Sequence, residues 1–363
     1  MQCVRVGLIG AGLIGGTHSA VLRTIADALP GRVELTAVAD PVAERRELFI
    51  HLYGYGHAFA DARDLLARAD VDTVFVCTPT AFHADLVRAA AAAGKHLFCE
   101  KPLAMSHAEA VEMLDAVRRA GVKAQIGLVL RFSPIYTVMR DLLRTSDVGE
   151  PVAVVFRDDQ VFPIRGVHHT AWRKDRRLSA GGTLIEHGVH DLDLLSWFFG
   201  PIARLRAWQQ NRTGHLGIED YVAVELELAG GLRAQLVNVW HDMLQRPSNR
   251  RLEIFCRRGF FASDHDMLGD IAVQLGDAEE RRLSAGEVLA RFETLLGRSD
   301  ARFRDWYAVP YLLQDLAFVE ALLADRDPAP GLDVGVEAQR IAEAVYRAAE
   351  SGDEVAVAAG NLR

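Results

Sequence analysis

The sequence predicts an α/β fold, in which an N-terminal doubly wound parallel sheet is followed by an α/β domain with an open, mostly antiparallel sheet. Three observations carry this prediction. Short apolar strands alternate with amphipathic helices over residues 3–127, a glycine-rich turn joins the first strand to the first helix, and longer alternating stretches then follow without regular helical crossovers. A chain of 363 residues is long enough for two domains of ordinary size. We place the domains at 1–128 and 129–363.

The alternation in the first domain predicts five parallel strands and five helices. The strands are expected at 3–9, 33–39, 73–77, 95–99 and 123–127, and the helices at 14–28, 42–53, 61–68, 83–93 and 107–120. Gly94 and Gly121 lie where helix C-caps belong, because glycine tolerates the left-handed backbone that ends many helices.

The second domain begins with a predicted helix at 134–145 and continues with alternating strands. A helix at 181–199 interrupts these strands, which are expected at 152–160, 202–210, 219–228, 232–241 and 250–256. Gly230 and Gly231 separate two of the strands, as in a β-hairpin. We expect residues 263–300 to form a loop and one helix, and the helical tail at 306–350 to pack a helix back on the first domain.

Charge and cysteine content disfavour several classes of partner and location. The net charge of −8 argues against nucleic acid, which needs a basic surface. No apolar segment is long enough to span a membrane, and the glycine-interrupted N-terminus predicts a first strand rather than a signal peptide. Four scattered cysteines without a Cys-x-x-Cys pattern indicate reduced thiols and a cytoplasmic location.

A glycine motif follows the first strand and opens the first helix. Gly10 permits a tight turn, Gly12 leaves room for a pyrophosphate against bare backbone, and Gly15 lets the helix pack closely on the strand. The N–H groups of the helix start, around Leu13 and Ile14, are suited to bind phosphate. The motif therefore predicts a dinucleotide site.

An acidic residue at the end of the second strand indicates which dinucleotide is bound. Asp40 can accept hydrogen bonds from an adenosine ribose diol, and its charge repels a 2′-phosphate. NAD is therefore expected rather than NADP. Arg45 and Arg46 lie further along the next helix and could bend back, which leaves NADP as the less favoured alternative.

Two further strand ends carry polar residues, at the edge of the sheet where ligands bind in this kind of fold. Thr78 and Pro79 end the third strand, and His83 opens the following helix, where helix capping or core packing is the alternative to a ligand contact. Glu100 and Lys101 end the next strand. From there the Lys101 ammonium can donate to a substrate oxygen and stabilise an alkoxide, unless it is a surface lysine in a turn.

The helix at 181–199 carries the second group of candidate residues. Glu186 and His190 are four apart and share a helical face, an arrangement in which a carboxylate orients a general-base imidazole. His187 lies about 100° away from Glu186 around the helix. These residue types can also bind metal, but their spacing matches no familiar zinc motif, so no metal is predicted. A structural histidine is the remaining alternative.

A polar stretch before this helix suits recognition of a substrate with many hydroxyl groups. It contains Asp158, Asp159, Gln160, Arg165, His168, His169, Trp172, Arg173 and Lys174. Trp172 is a candidate to stack on a sugar face or to anchor its loop. Arg173 is a candidate partner for a carboxylate or phosphate, with a solvated charge as the alternative.

Together these residues resemble the Gfo/Idh/MocA family, over nearly the whole chain. The resemblance rests on the Gly10–Gly15 loop, Asp40, Thr78-Pro79 with His83, Glu100-Lys101-Pro102, Arg131-Phe132, the Gly181–Leu195 segment and Trp240. It implies an N-terminal Rossmann domain, a C-terminal domain whose open sheet often forms an oligomer interface, and hence a homodimer or homotetramer. It also implies NAD(P)-dependent oxidation of a sugar or cyclitol hydroxyl, or the reverse reduction.

The resemblance also implies roles for single residues. Lys101 matches the family lysine that contacts the reacting oxygen, and His190 matches the histidine that acts as base. Glu186 stands where members similar to inositol dehydrogenase have an aspartate, so its carboxylate reaches one methylene further. The alternatives are a regulator that binds NAD and sugar without turnover, and a family member that acts on a non-sugar substrate.

The predicted sites can now be given in full. The catalytic residues are Lys101, His190 and Glu186. The cofactor-binding residues are Gly10, Gly12, Leu13, Ile14, Gly15, Asp40, Thr78, Pro79, His83, Glu100 and Lys101. The substrate-binding residues are Lys101, Arg131, Trp172, Arg173, His187 and His190.

Overall fold

The computed structural model describes residues 2–166, 169–297 and 309–357. The chain divides into two compact units, which are described in turn. The first unit comprises Met1–Leu128 and Tyr311–Gln339, and the second comprises Val129–Pro310 and Arg340–Arg363.

The first unit contains the predicted parallel sheet, with six strands where the sequence predicted five. Its strands are β1 (Val4–Ile9), β2 (Val33–Ala39), β3 (His57–Phe59), β4 (Thr73–Val76), β5 (His96–Glu100) and β6 (Ala124–Gly127), in the order β3-β2-β1-β4-β5-β6. Its helices are α1 (Leu13–Ala28), α2 (Ala43–Tyr53), α3 (Ala62–Leu66), α4 (His83–Ala92) and α5 (His107–Ala120). The short edge strand β3 is the one strand of this sheet that the sequence did not predict.

The strand order determines where a ligand can bind in this unit. Strand β4 is buried throughout and β1 nearly so, as expected for parallel strands covered on both faces. The chain winds from β1 to β2 in one direction and from β4 to β5 in the other. The crevice at the carboxyl ends of β1 and β4 is therefore the topological switch point, where ligands bind in doubly wound sheets.

Part of the C-terminal tail belongs to the first unit. Helix α9 (Pro310–Leu323) places Phe318 against the rings of Phe75 and Phe98, at 5.6 and 5.8 Å between centroids. Helix α10 (Leu332–Ser351) begins in this unit. The start of the predicted tail, at 306–308, lies outside the described residues.

The second unit is built on a nine-stranded sheet. Its strands are β7 (Pro151–Val161), β8 (Ile202–Gln210), β9 (Tyr221–Leu228), β10 (Arg233–His241), β11 (Asn249–Cys256), β12 (Gly259–Ser263), β13 (Ile271–Leu275), β14 (Arg281–Leu283) and β15 (Val355–Ala356), in the order β14-β13-β12-β11-β7-β10-β9-β8-β15. Among these described strands, β7 and β10 pair in parallel and the other neighbours pair antiparallel. The predicted open, mostly antiparallel sheet is confirmed.

Besides the end of α10, three α-helices accompany this sheet in the described residues. They are α6 (Pro134–Thr145), α7 (Val189–Phe199) and α8 (Ala285–Leu296), and α6 lies where the sequence predicted it. The expectation of a loop and one helix at 263–300 was wrong in part, because β13 and β14 extend the sheet before α8 begins. Strand β14 is a short edge strand with two exposed arginines. Because it is short and charged, the sequence did not show the apolar alternation that predicts a strand. Residues 298–300 lie outside the described part of the chain.

A second correction concerns the helix predicted at 181–199. It begins as a π-helical turn at Leu184–Gly188 and becomes α-helical only from Val189. Across the described residues, no helix combines the length and apolar character needed to span a membrane.

Candidate active site

The glycine loop has the geometry that a bound pyrophosphate needs. Gly10 has a φ of +101°, and a Cβ there would lie 2.7 Å from the carbonyl oxygen of Cys77. A Cβ on Gly15 would collide with the carbonyl oxygen of Gly10, whereas a Cβ on Gly12 would meet open space. Gly12 is also the N-cap of α1 and provides no side-chain cap, so the first N–H groups of the helix, beginning at Leu13 and Ile14, suit an anionic ligand.

Asp40 joins this loop to the start of α2. One carboxylate oxygen accepts the backbone N–H of Ala11 and the other accepts that of Val42, both at 2.9 Å. Asp40 is only 5% exposed, so the loop holds its carboxylate in a fixed position at the end of β2.

Two arginines of α2 bend back towards Asp40. The Nη1 atom of Arg45 lies 3.9 Å from the Asp40 carboxylate, and Nη1 of Arg46 donates to the Asp40 carbonyl oxygen at 2.6 Å. From the sequence alone, Arg45 and Arg46 could either bend back or point away. In the structure both guanidinium groups lie close to Asp40.

The end of β4 supplies a second part of the crevice. The Oγ1 atom of Thr78 is buried and finds no hydrogen-bond partner among the described residues, and Pro79 follows it. The His83 ring reaches from the Thr78 carbonyl oxygen (2.9 Å) to the Pro102 carbonyl oxygen (3.0 Å). His83 thereby connects the carboxyl ends of β4 and β5.

Lys101 is half-buried and follows directly on β5. Its backbone N–H donates to Oε2 of Glu100 at 3.0 Å. The Glu100 carboxylate packs against Gly127 of β6, where a Cβ would lie 2.6 Å from Oε1. Glu100 is 5% exposed, so its carboxylate turns into the sheet and supports the backbone of Lys101.

Glu186 lies in the π-helical turn of the second unit and is almost completely buried. Its carboxylate accepts the Ala180 N–H and the Nε–H of Arg173, both at 3.2 Å. The π-helical turn changes the angular spacing on which the predicted Glu186–His190 relation relied. That Glu186 orients His190 stays a prediction, while its contacts show it anchoring the segment of Arg173.

Arg173 and Trp172 lie together in a short 3-10 helix. The Arg173 guanidinium stacks over the Trp172 ring at 4.5 Å from its centroid, donates to Oγ1 of Thr170 at 2.8 Å and pairs with Glu186. The positive charge of Arg173 is therefore matched by the negative charge of Glu186. His168, in the same predicted polar stretch, lies outside the described residues.

A buried cluster of charges lies beside His190. We call it the Arg250 cluster, and its members are Arg250, Asp158, Asp191, Asp266 and His187. Arg250 is 3% exposed and lies 2.8 Å from Asp191 and 3.2 Å from each of Asp158 and Asp266. Burial raises the pKa of Asp158 to about 6, against the attraction of Arg250. Burial and the neighbouring Asp158 also raise the pKa of Asp191.

The cluster fixes the start of α7 and with it His190. Asp191 accepts Nδ2–H of Asn238 at 2.6 Å in addition to its bond from Arg250. Gly188 lies directly against the Asn238 side chain, where a Cβ would collide with the amide. Strands β10 and β11 therefore hold both sides of His190, which is 5% exposed.

His187 contacts charged residues of the Arg250 cluster through both of its ring nitrogens. Its Nδ1 lies 2.9 Å from Asp158 Oδ2, and its Nε2 lies 2.8 Å from Nη2 of Arg250. A guanidinium can only donate, so Nε2 accepts and the ring proton lies on Nδ1, towards Asp158. Nε2 is thus hydrogen-bonded to Arg250 and Nδ1 lies in close contact with Asp158, and substrate contact by His187 stays a prediction.

Arg131 is similarly engaged within the second unit. Its guanidinium forms a bidentate pair with Asp193 at 2.8 and 2.7 Å, and it lies 5.8 Å from the Trp197 ring. This pair ties the segment after β6 to α7. The geometry shows Arg131 paired within the unit, and its predicted contact with substrate stays a prediction.

Sequence reasoning did not identify the residues that position His190. Arg250 and Asn238 lie on strands that flank Asp158 in register, far from His190 along the chain. The available signal was a run of charged and polar residues inside a strand, at Asp158-Asp159-Gln160. Among the described residues, no group of three or more histidines, cysteines or carboxylates forms a metal site.

Comparison with known proteins identifies the family. Residues 4–128 match the model described as the oxidoreductase family with an NAD-binding Rossmann fold, and residues 136–262 match the Gfo/Idh/MocA C-terminal domain. The chain therefore belongs to the Gfo/Idh/MocA oxidoreductase family. This confirms the predicted oxidoreductase class and the predicted NAD cofactor.

Individual relatives match over nearly their full length. Inositol 2-dehydrogenase of Rhizobium meliloti (strain 1021) is 27% identical over 362 residues, covering 98% of this chain and 99% of that protein. A solved oxidoreductase domain protein from Kribbella flavida has a TM-score of 0.86 at 25% identity, covering 98% of this chain and 100% of that chain. Levoglucosan dehydrogenase in complex with NADH has a TM-score of 0.84 at 21% identity, covering 98% and 99%, a likeness of fold.

Replacing Gly10 by alanine should abolish the loop geometry. The new Cβ would meet the Cys77 carbonyl at a backbone φ that L-residues avoid, at a cost of about 1–3 kcal/mol. We expect NADH affinity, measured by fluorescence titration, to fall at least about tenfold. Gly16→Ala is the matched control, since its Cβ would lie 3.4 Å from the Tyr53 hydroxyl and should leave affinity unchanged. Wild-type affinity in Gly10→Ala would refute the loop assignment.

Replacing Arg250 by methionine should leave the buried carboxylates of Asp158 and Asp191, and the partly buried one of Asp266, without their cation. We expect the free energy of unfolding, measured in urea, to fall by about 3–5 kcal/mol at pH 7. The loss should shrink at pH 5, because the carboxylates can then take up protons. Arg251→Met changes the exposed neighbour on the same strand and should alter stability by less than about 0.5 kcal/mol. Equal stability of the two variants would contradict the importance of the cluster.

Proposed function

We propose that this member of the Gfo/Idh/MocA family is an NAD-dependent dehydrogenase that transfers a hydride between the cofactor and a hydroxyl-bearing carbon of a sugar, sugar derivative or cyclitol. The observation that carries the proposal is the position of Lys101. It follows β5 at the same edge of the sheet as the glycine loop and Thr78, in the order β1-β4-β5. A cation at this edge can act on a substrate bound beside the nicotinamide.

The first unit offers a fitting set of residues for NAD. The open space at Gly12 can receive the pyrophosphate, Asp40 can accept hydrogen bonds from the adenosine ribose, and the buried Oγ1 of Thr78 still lacks a described partner. When bound, NAD supplies the hydride acceptor. The protein residues bind and orient it through backbone N–H groups and these side chains.

Lys101 and His190 each have a role in the proposed reaction. The Lys101 ammonium donates a hydrogen bond to the substrate oxygen and stabilises the negative charge that develops there as the hydroxyl proton leaves, before the hydride is transferred. A ring nitrogen of His190 accepts the hydroxyl proton, which returns to the substrate oxygen in the reverse reaction. The buried start of α7 holds the His190 ring in position for this transfer.

The charges around His190 favour a neutral substrate. The cation of Arg173 is matched by Glu186, and that of Arg131 by Asp193. An anionic substrate would have to compete with these buried carboxylates for their arginines. A polyol needs only hydrogen-bond donors and acceptors, so the inositol and sugar substrates named for relatives fit these charges.

Replacement of the two proposed catalytic residues tests the mechanism. Lys101→Met and His190→Asn should each lower kcat by about 10²- to 10⁴-fold, because each removes a group that acts on the reacting oxygen. NADH affinity should change by less than about threefold. Turnover is measured at 340 nm with NAD and a panel of sugars and inositols.

Lys123→Met is the control for loss of a lysine in the first unit, and it should keep wild-type turnover, since Lys123 pairs with the exposed Asp325. Normal turnover in either catalytic variant would remove that residue from the mechanism. NADH binding by the wild type without turnover on the whole panel would favour the regulatory alternative.

The cofactor preference can be tested separately. We expect NADH to bind at least about tenfold more tightly than NADPH, because the Asp40 carboxylate repels a 2′-phosphate. Arg45→Ala should weaken NADPH further and leave NADH affinity unchanged, since Arg45 approaches Asp40 only at 3.9 Å. A smaller dissociation constant for NADPH than for NADH in the wild type would overturn the preference.

A further inference from the structure

A second buried charge cluster lies beneath Lys101, in the first unit. His18 of α1 stands between two carboxylates, with Nδ1 2.8 Å from Asp315 of α9 and Nε2 3.1 Å from Glu100 at the end of β5. His18 and Asp315 are fully buried and Glu100 is 5% exposed. We call these three residues the His18 triad.

The surroundings of the triad make it a charged unit in an apolar site. The His18 ring lies 5.5 Å from Phe75, 5.0 Å from Phe98 and 5.9 Å from Tyr311, measured between ring centroids. Burial alone would lower the pKa of His18, but the carboxylates of Asp315 and Glu100 outweigh it and raise the pKa to about 10. The imidazole is therefore protonated at neutral pH.

Glu100 connects this cation to the functional edge of the sheet. Its Oε1 faces His18, while its Oε2 accepts the backbone N–H of Lys101 at 3.0 Å. His18 lies six residues after Gly12 on the helix that opens at the glycine loop. A chain of two hydrogen bonds therefore joins the helix of the phosphate-binding turn to the backbone of Lys101.

We propose that the His18 triad is a positioning unit for Lys101. The imidazolium holds the Glu100 carboxylate in one orientation, and that carboxylate fixes the backbone from which the Lys101 side chain extends. Asp315 accepts from the other ring nitrogen, so that one imidazolium donates to both carboxylates. The inference rests on the proposed role of Lys101 and adds that a residue inside the core controls its placement.

The chain provides a matched control for a merely structural role. Lys95 is also a buried cation beside β5, but it lies at the opposite end of that strand. Its Nζ donates to the carbonyl oxygens of Arg68 and Val71 at 2.7 and 2.8 Å. Loss of Lys95 should therefore destabilise the same unit without moving Lys101.

The experiment compares His18→Gln with Lys95→Met in the full-length protein. Both should lower the melting temperature, but only His18→Gln should lower kcat, by about 10²-fold, since a displacement of about 1 Å at a catalytic group has this effect. The dissociation constant of NADH and the KM of the substrate should change by less than about threefold. Equal kcat in the two variants would overturn the proposal.

Glu100→Gln keeps the experiment decisive if His18→Gln does not fold. The imidazolium then stays balanced by Asp315, but His18 and Lys101 donate to different oxygens of Glu100, so the amide NH2 must face one of these two donors and that bond is lost. We expect kcat to fall about 10²-fold with the fold intact. Wild-type kcat would contradict the proposal. If Lys101→Met itself keeps full turnover, the proposed function fails instead.

A pH measurement tests the charge of His18 directly. Because its pKa is raised in the folded state, its contribution to stability is fully present below about pH 6.5 and is lost as the pH rises through about 10. The titratable groups facing it are Glu100, Asp315 and Tyr311, and burial raises the pKa of Asp315 above its ordinary value. Nearby Cys77 and Tyr55 have pKa values raised by burial, which keeps them protonated through most of this range.

We therefore expect the urea midpoint of the wild type to fall more steeply than that of His18→Gln between pH 7 and 10. Parallel pH profiles of the two proteins would show that His18 carries no charge in the folded state and would overturn the proposal.

Discussion

Each unit buries a carboxylate directly beside the residue proposed to act on substrate, and the rest of each site depends on how that carboxylate is satisfied. Glu100 precedes Lys101, and Asp191 follows His190. A buried carboxylate without a partner is costly, so each must be held by a cation and by N–H donors. His18 and the Lys101 N–H hold Glu100, while Arg250 and Asn238 hold Asp191.

These clusters are better explained by orientation than by stability. Apolar side chains of similar volume often stabilise a core as well as a buried ion pair does. A charge-assisted hydrogen bond, however, fixes both the distance and the direction between its two groups. Apolar contacts restrict distance and direction less strictly. In the second unit the bonds to Asp191 come from two different strands, so α7 cannot shift or rotate without breaking one of them. Such restriction is what a general base requires, because proton transfer depends on reach.

Features that depend on neighbouring residues were predictable from the sequence, and features that depend on sheet register were not. The glycine loop, Asp40 and Lys101 follow strands whose apolar runs are evident, which gave the Rossmann sheet and its ligand edge. Arg250 meets Asp158 only because β11 pairs with β7 in one register. The π-helical turn and the short charged strand β14 leave no periodic signal of their own, so one was predicted as regular helix and the other as loop.

The sequence could not show which charges of the predicted substrate region are paired within the protein. Arg131 was predicted as a substrate contact from the family resemblance, and Arg173 as a partner for a carboxylate or phosphate with a solvated charge as the alternative. In the structure the first forms a bidentate pair with Asp193 and the second pairs with Glu186 beneath the Trp172 ring. Both acidic partners lie on the same helical segment as His190. A substituent that drew either arginine away would leave a buried carboxylate unpaired on the helical segment of His190. Both arginines are therefore committed to partners within the protein.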